Sequence, residues 1–290
     1  MNRSDVLGQL RSVRAAGQTL IGAGAGTGLS AKCSEAGGAD LLIVYNSGRY
    51  RMAGRGSSAG LMPYGDANAI VMEMAGEVLP VVRSVPVLAG VCGTDPFRLM
   101  PHFLRQVKDI GFAGVQNFPT VGIIDGNFRQ TLEDTGMSYQ LEVDMIRAAR
   151  ELDLLTAAYV FDLEQTQAMV DAGADIVVPH MGTTTSGMIG AKQAMGIEKA
   201  IEEVGKLCLW AKKHRPEVLV LAHGGPIATP GDVAHVLGQL PDLDGFFGAS
   251  SVERLPTETA IVETLRQFKA AGSGDLRPGP TPACQDNNGD

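Results

Sequence analysis

Glu35-Ala-Gly-Gly-Ala-Asp-Leu-Leu-Ile-Val44 and Asp171-Ala-Gly-Ala-Asp-Ile-Val-Val178 repeat one pattern. Each reads as a helix closed by glycine, a short turn, and an unbroken apolar run. A strand with no polar alternate is buried on both faces, as in a parallel sheet covered by helices. Outward from these two copies, the same grammar predicts strands at 19–22, 41–45, 85–91, 114–118, 155–161, 176–179, 218–222 and 245–248. The segments between them carry apolar residues at three- and four-residue spacing, the stripe of a helix laid on a sheet. Examples are Phe97, Met100, Phe103, Leu104, Val107, Ile110 and Ile197, Ala200, Ile201, Val204, Cys208, Ala211; a third is Val233, Val236, Leu237, Leu240. Eight alternations of strand and helix predict an α/β fold, a (β/α)8 TIM barrel, with the quoted copies half a barrel apart. A doubly wound open sheet is the competing fold, and it needs no eighth strand. One barrel domain over 1–272 is expected, with no second domain or long linker in the sequence and an amphipathic helix at its N-terminus. The Gly/Pro/polar stretch 273–290 is expected to be a flexible tail.

Composition fits this reading. Of 290 residues, 44% are hydrophobic and 5% aromatic, and 37 are glycine, which suits tight strand-to-helix turns. The net charge of -8 points away from nucleic acid and anionic membranes, while leaving room for a local anion site. Cys33, Cys92, Cys208 and Cys284 form no CxxC pair, so neither a zinc site nor a disulfide framework is expected. With no apolar segment after the first arginines and no run of ~18 apolar residues, a cytoplasmic protein is expected.

In a barrel the turns after the strands face the site. The first, Gly22-Ala-Gly-Ala-Gly-Thr-Gly, misses the G-x-G-x-x-G spacing, and no acid follows the second strand. No nucleotide cofactor is therefore expected, and Gly24 is read as letting backbone approach a ligand. The second turn begins Tyr45-Asn46-Ser47-Gly48-Arg49 and runs to Asp66, the longest loop in the chain. Its Arg49, Arg51 and Arg55 form either a lid over an anion or a solvated loop making subunit contacts. Asp95, after the third strand, is either a metal ligand or base, or a helix cap before Pro96. Cys92 is either a nucleophile or a small buried thiol. Asn117, at the end of the fourth strand, is either a donor to a substrate oxygen or a satisfied core amide. Asp162 after the fifth strand is either a cap or a metal ligand.

The sixth and seventh strands end in His180 and His223, at matching depth on adjacent strands, while His102, His214 and His235 fall within helices. Imidazoles titrate near neutrality and suit proton transfer, so His180 and His223 are read as the catalytic pair, with Asn117 beside them. Gly224-Gly225 and Gly248-Ala-Ser250-Ser251 are read as an anion cup, with tight turns as the plain alternative.

The block from Gly22 to Met74, with IGAGAGTGLS and YNSGRYRMAGRGSSAGLMPYGDANAIV, and then VLAGVCGTDP, GFAGVQNFPTVGIIDGNFR, VPHMG, LAHGGPI and GFFGASSVERLP, resembles the phosphoenolpyruvate hydrolase-like TIM-barrel family. That family is also found as the C-terminal part of the plant tobamovirus-resistance proteins. The resemblance covers the chain to about Gln267. It implies a lyase or hydrolase like phosphonopyruvate hydrolase, acting on a small anionic 2-oxo acid or a phosphorylated substrate. It also implies Mg2+ through a wider likeness to the phosphoenolpyruvate mutase and isocitrate lyase superfamily. Asp95 and Asp162 are the candidate metal residues. The acidic cluster and Lys-Lys-Cys-Gly-His loop of that superfamily are absent here, with Asp95 alone at the third turn. The barrel is also similar to indole-glycerol phosphate synthase, which implies a phosphate site at Gly225 and Gly248. The second functional reading is a non-catalytic small-molecule sensor or protein-interaction module. A homo-oligomer is expected, with Leu61, Met62, Met72 and Met74 as contact residues.

Overall fold

The structure is a computed structural model and describes residues 1–271; the expected tail lies outside the described residues. Eight parallel strands close into a barrel in sequence order. They are β1 (Leu20–Gly24), β2 (Leu41–Val44), β3 (Val87–Val91), β4 (Gly114–Asn117), β5 (Leu155–Val160), β6 (Ile176–Pro179), β7 (Leu219–His223) and β8 (Gly245–Gly248). The helices are α1 (Arg3–Ala15), α2 (Gly28–Ala36), α3 (Asn46–Met52), α4 (Ala67–Val78), α5 (Met100–Ile110), α6 (Gly126–Asp134), α7 (Tyr139–Glu151), α8 (Leu163–Ala172), α9 (Ile197–His214), α10 (Pro230–Gln239) and α11 (Arg254–Ala270). Each predicted strand is present within about two residues, the usual uncertainty of strand ends. Closure comes from β8, whose Gly245 and Phe246 pair with Leu20 and Ile21 of β1.

The repeated Ala-Asp before a strand has a structural meaning. Asp40, Asp175 and Asp244 each precede a strand and accept the backbone N–H of the second residue of the strand before it: Ile21 at 2.8 Å, Thr156 at 3.1 Å and Val220 at 2.8 Å. Each Asp N–H returns a bond to the carbonyl of that same residue. This double bond satisfies backbone groups at the N-terminal rim, where burial would otherwise leave them unpaired. Helix α1 packs Val6, Leu7 and Leu10 into the core, and is fastened at this rim through Arg3–Asp175 and Arg14–Asp244.

Two expectations are corrected. The segment 45–66 is folded: α3 is followed by a 3-10 turn (Ser57–Leu61), held by Asn46 Nδ2 on the Gly60 carbonyl (2.9 Å) and Ser47 Oγ on the Ser57 carbonyl (2.7 Å). Short polar side chains bonding across the segment replace the open loop that its Gly/Ser/Arg content suggests. Secondly, Phe97 lies outside α5 and is 93% exposed, because α5 begins only at Met100.

Candidate active site at the barrel mouth

Successive side chains of a strand point to opposite faces, so one-residue phase decides what reaches the barrel interior. On β4, Asn117 points outward: its Nδ2 donates to Glu142 of α7 (2.7 Å), and its Oδ1 accepts the Tyr159 N–H (2.7 Å). Its neighbours Gln116 and Phe118 therefore face the interior. Phe118 packs against Tyr45 (centroids 4.9 Å) and edge-on to Tyr159 (6.2 Å). Tyr159 also meets His180 and His223, each at 5.0 Å, and Phe247 at 6.2 Å. The C-terminal mouth is thus lined by Tyr45, Phe118, Tyr159, Phe247 and two imidazoles.

His180 and His223 do come together, as their matching depth suggested. They form a bridge between adjacent chain segments, with ring centroids 4.6 Å apart. Their hydrogen-bond partners fix opposite tautomers. His223 Nδ1 faces the Phe247 carbonyl at 2.6 Å and so carries hydrogen, leaving Nε2 as a lone-pair acceptor. His180 Nδ1 accepts the Gly182 N–H at 3.1 Å, so its Nε2 carries hydrogen. Burial holds both rings neutral: His223 is pushed down to about 4, and His180 well below the ordinary imidazole value by burial and by His223 beside it. The Tyr159 hydroxyl lies 3.5 Å from His223 Nε2, and burial keeps that phenol protonated. The pair offers one neutral donor nitrogen and one neutral acceptor nitrogen.

Below the turn after β1 lies an ion pair that sequence reasoning missed. Arg51 of α3 donates to Glu253 at 3.1 Å, with both side chains almost wholly buried. The Glu253 carboxylate also accepts the Gly26 N–H and the Ser30 hydroxyl (2.6 Å), and the guanidinium lies over the Tyr45 ring at 5.3 Å. Gly26 is needed there, since a Cβ would lie 2.2 Å from the Gly48 carbonyl oxygen. The anion that approaches the glycine-rich turn is thus the protein's own carboxylate. Arg49 faces outward to Glu73, and Arg55 reaches only neighbouring carbonyls, so the three arginines form no common lid.

The remaining candidates sort by what they touch. Gly24 lines the mouth, near the Tyr45 hydroxyl and Ala249. Asn46 and Ser47 are buried and brace the turn, and Asn117 braces β4, β5 and α7. Gly224 and Gly225 take positive φ (78° and 58°), but the Gly225 N–H is used on the Gly182 carbonyl (2.7 Å). Ser250 faces Ser57 at 3.1 Å, while Gly248 packs on Val252 and Phe246. Ser251 lines an outer groove with Phe246 and Val252, away from the mouth. Asp162 caps α8 through the Gln165 N–H (2.8 Å). Asp95 holds Asn68 Nδ2 (2.8 Å), the Phe97 N–H (2.9 Å) and Arg98. Burial raises the Cys92 thiol above its usual value, which describes a resting thiol. Among the described residues, no group of three or more His, Cys, Asp and Glu side chains is placed to hold a metal ion.

Glu142 was also missed. It is fully buried, and burial raises its carboxyl to about 7 from 4.5, although the Thr120 hydroxyl and the Val121 and Asn117 donors oppose the shift. A raised folded-state value means stability complete below about 4.5 and lost as pH climbs through 7. The lowered His223 acts oppositely, its contribution complete above 6.5 and lost as pH falls through about 4. The two oppose each other between 4.5 and 6.5. Glu142→Gln should therefore unmask the histidines, so that stability rises with pH across that window by up to about 1 kcal/mol per pH unit more than in the wild type. Urea midpoints across the window would show this; parallel wild-type and variant profiles would refute it.

The chain matches the model of the phosphoenolpyruvate hydrolase-like family over residues 5–271. The ToMV resistance protein Tm-1(GCR237) of Solanum lycopersicum is 57% identical over 268 residues, which is 92% of this chain and 36% of the tomato protein. The ToMV susceptible protein tm-1(GCR26) of the same plant is 57% identical over 265 residues, 91% and 35% of the two chains. This chain thus spans about a third of the length of these relatives. A solved phosphonopyruvate hydrolase in complex with oxalate and Mg2+ superposes with a TM-score of 0.58, covering 96% of this chain and 92% of that one. At 17% identity that likeness is one of fold. Among the described residues, no helix is long and apolar enough to cross a membrane.

Proposed function

This chain belongs to the phosphoenolpyruvate hydrolase-like family, and we propose that its barrel mouth is the active site of a lyase or hydrolase acting on a small anionic 2-oxo acid. The observation that carries this reading is the pair of buried neutral imidazoles with opposite tautomers. His180 Nε2–H can donate to a substrate carbonyl oxygen, as a neutral imidazole does when burial keeps it from charging. The free His223 Nε2 can take a proton, and Tyr159 lies beside it. His223 must be neutral to accept, so turnover should rise with pH through about 4 and level off above. The reading is tested by screening 2-oxo acids and phosphorylated relatives for turnover, with and without Mg2+. Stabilisation without any product would sink the enzyme and leave a sensor.

The carboxylates present do not fit a magnesium cradle. Mg2+ wants carboxylate oxygens free to complete an octahedron. Asp95 and Asp162 are committed to Arg98, Asn68 and backbone N–H groups, and Glu142 faces Asn117 and the Val121 N–H. The proton steps proposed here run on protein groups. An anion at Gly224, Gly248 and Ser250 remains part of the proposal, at the turns flanking His223.

The second reading, an interaction module, is favoured by the exposed Phe97, Phe128 and Met62 around one rim groove, and by the longer relatives. The chain is equally similar to a resistance and a susceptible protein, so the likeness carries no resistance activity with it.

We also propose a homo-oligomer; of the expected contact residues, Met74 is wholly buried and Met72 packs on the core, while Met62 is exposed, and helix α11 offers a further surface. Helix α11 buries only Arg254 and exposes Ile261, Leu265 and Phe268 at i, i+4 and i+7 spacing. Beside its start, an apolar groove of about 410 Å3 between α10 and the β8–β1 seam is lined by Ile21, Val233, Leu237, Phe246 and Val252. A second copy's α11 suits that groove. Light scattering should give a multiple of the 30.4 kDa chain mass, reduced towards one chain by Leu265→Asp with Phe268→Asp. A monomeric wild type at micromolar concentration would end this idea.

A further inference from the structure

Residues 180–196, between β6 and α9, are the longest stretch of the described chain that belongs to no helix or strand. Irregular loops of more than about 12–15 residues are uncommon in compact domains and are usually functional. This one does not hang free. Its Gly182 carbonyl accepts the Gly225 N–H at the end of β7 (2.7 Å), and a bridge between Thr185 and Ala191 closes its tip. That tip is held on α11, the helix after β8. Buried Arg254 donates from Nη2 to the Ser186 carbonyl (3.0 Å), and Glu258 accepts the Met188 N–H (2.9 Å). Arg254 Nη1 also spans both Glu258 carboxylate oxygens (3.0 and 3.1 Å), so the two side chains form one latch. On the far side, a Cβ at Gly56, in the turn after β2, would touch the Ile189 carbonyl oxygen (3.7 Å). The segment therefore runs from β6 past β7, which carries His223, to elements that follow β8 and β2. His180 and His223 are buried although both stand at the open end of the barrel.

Two local features tie this segment to the site. Ser186 sits at φ 70°, a left-handed conformation that a residue with a Cβ adopts at a cost, and there its carbonyl meets Arg254. Gly182, at φ 99°, stands at the hinge end, and its N–H is the donor that His180 Nδ1 accepts. One residue thus joins the segment to the histidine whose tautomer it fixes. We propose that 182–191 is a lid over the histidine pair, and that Arg254 and Glu258 are positioning residues: they hold the lid closed and, through Gly182, keep the His180 hydrogen on Nε2. This rests on the reading of the mouth as the functional site and adds its regulation, since a ligand enters only when the latch parts.

Glu258→Ala removes both the acceptor for Met188 and the partner of Arg254. Gly187→Ala opens the same latch from the lid side, since a Cβ there would lie 2.3 Å from Arg254 Nη1 and from Glu258 Oε2. Diethyl pyrocarbonate modification is followed by mass spectrometry at each histidine, and imidazole 15N shifts report the His180 tautomer. His102, His214 and His235 are exposed and serve as internal references. In either variant, modification of His180 and His223 should rise about 10-fold against these references, the population shift that one lost charge-assisted hydrogen bond produces. The 15N spectrum of His180 should also lose its single Nε2–H pattern. A loop that merely packs on α11 would loosen without changing that spectrum. If Glu258→Ala fails to fold, Gly187→Ala decides alone. The proposal is overturned if a folded variant modifies the pair at the wild-type rate, or if its His180 keeps the wild-type 15N pattern. Unlatching as expected, with no 2-oxo acid turned over by any form, would uphold the lid and defeat the enzymatic reading. Turnover by a wild type whose two mouth histidines already react like the references would defeat the lid and leave that reading standing.

Discussion

Glu253→Gln should destabilise the protein by about 3–5 kcal/mol, the cost of leaving one buried charge without its partner. In the wild type one carboxylate answers the Arg51 guanidinium, the Gly26 N–H and the Ser30 hydroxyl. Glutamine has a single acceptor oxygen and turns an amide NH2 towards at least one of those donors. Arg51 cannot shed its proton to escape the mismatch. At roughly 2–4 °C per kcal/mol for a chain of this size, melting should fall by about 6–20 °C. The double variant Arg51→Met with Glu253→Gln should be less damaged than Glu253→Gln alone, because the stranded charge is gone. A single variant within about 1 kcal/mol of wild type would mean that water reaches the pair, placing it among exposed ion pairs.

The second large effect is on chemistry. His223→Asn should lower turnover of any substrate found by about 100- to 10,000-fold, the usual worth of a positioned general base, while leaving binding largely intact. Asparagine can still donate to the Phe247 carbonyl that His223 Nδ1 now reaches, so the strand end keeps its bond. It offers no nitrogen lone pair in place of Nε2. His180→Gln is the companion, expected to weaken the polarising hydrogen bond while retaining a donor. Should His223→Asn leave kcat unchanged and raise only KM, His223 shapes the pocket and the proton-transfer role fails.

Much of this site can be read from the chain alone, and the pattern of what cannot is instructive. His180 and His223 were legible because each ends an apolar run, and strand order places the sixth and seventh runs side by side. The repeated Ala-Asp marked strand starts, though its double bond to the previous strand was not visible. On β4 the phase stayed open in the sequence: Asn117 reads either as a donor to a substrate oxygen or as a satisfied core amide, and in the structure it joins α7 and β5. A strand buried on both faces has no polar alternation to reveal its phase. The inward direction of Gln116 follows from the outward direction of Asn117.

What the sequence by itself determined is local and periodic: strand and helix alternation, glycine-closed helix ends, and the depth at which each turn begins. Those features depend on residues within one or two turns of each other, so composition and spacing carry them. The tertiary structure alone decided which charges meet. Arg51 and Glu253 lie 202 residues apart, and Asn117 and Glu142 lie 25 apart, with no spacing rule joining either pair. Only barrel closure, which brings the turn after β8 against the turns after β1 and β2, strips water from these groups. Burial then fixes their partners, because an unpaired charge or amide costs far more inside the barrel than in the unfolded chain.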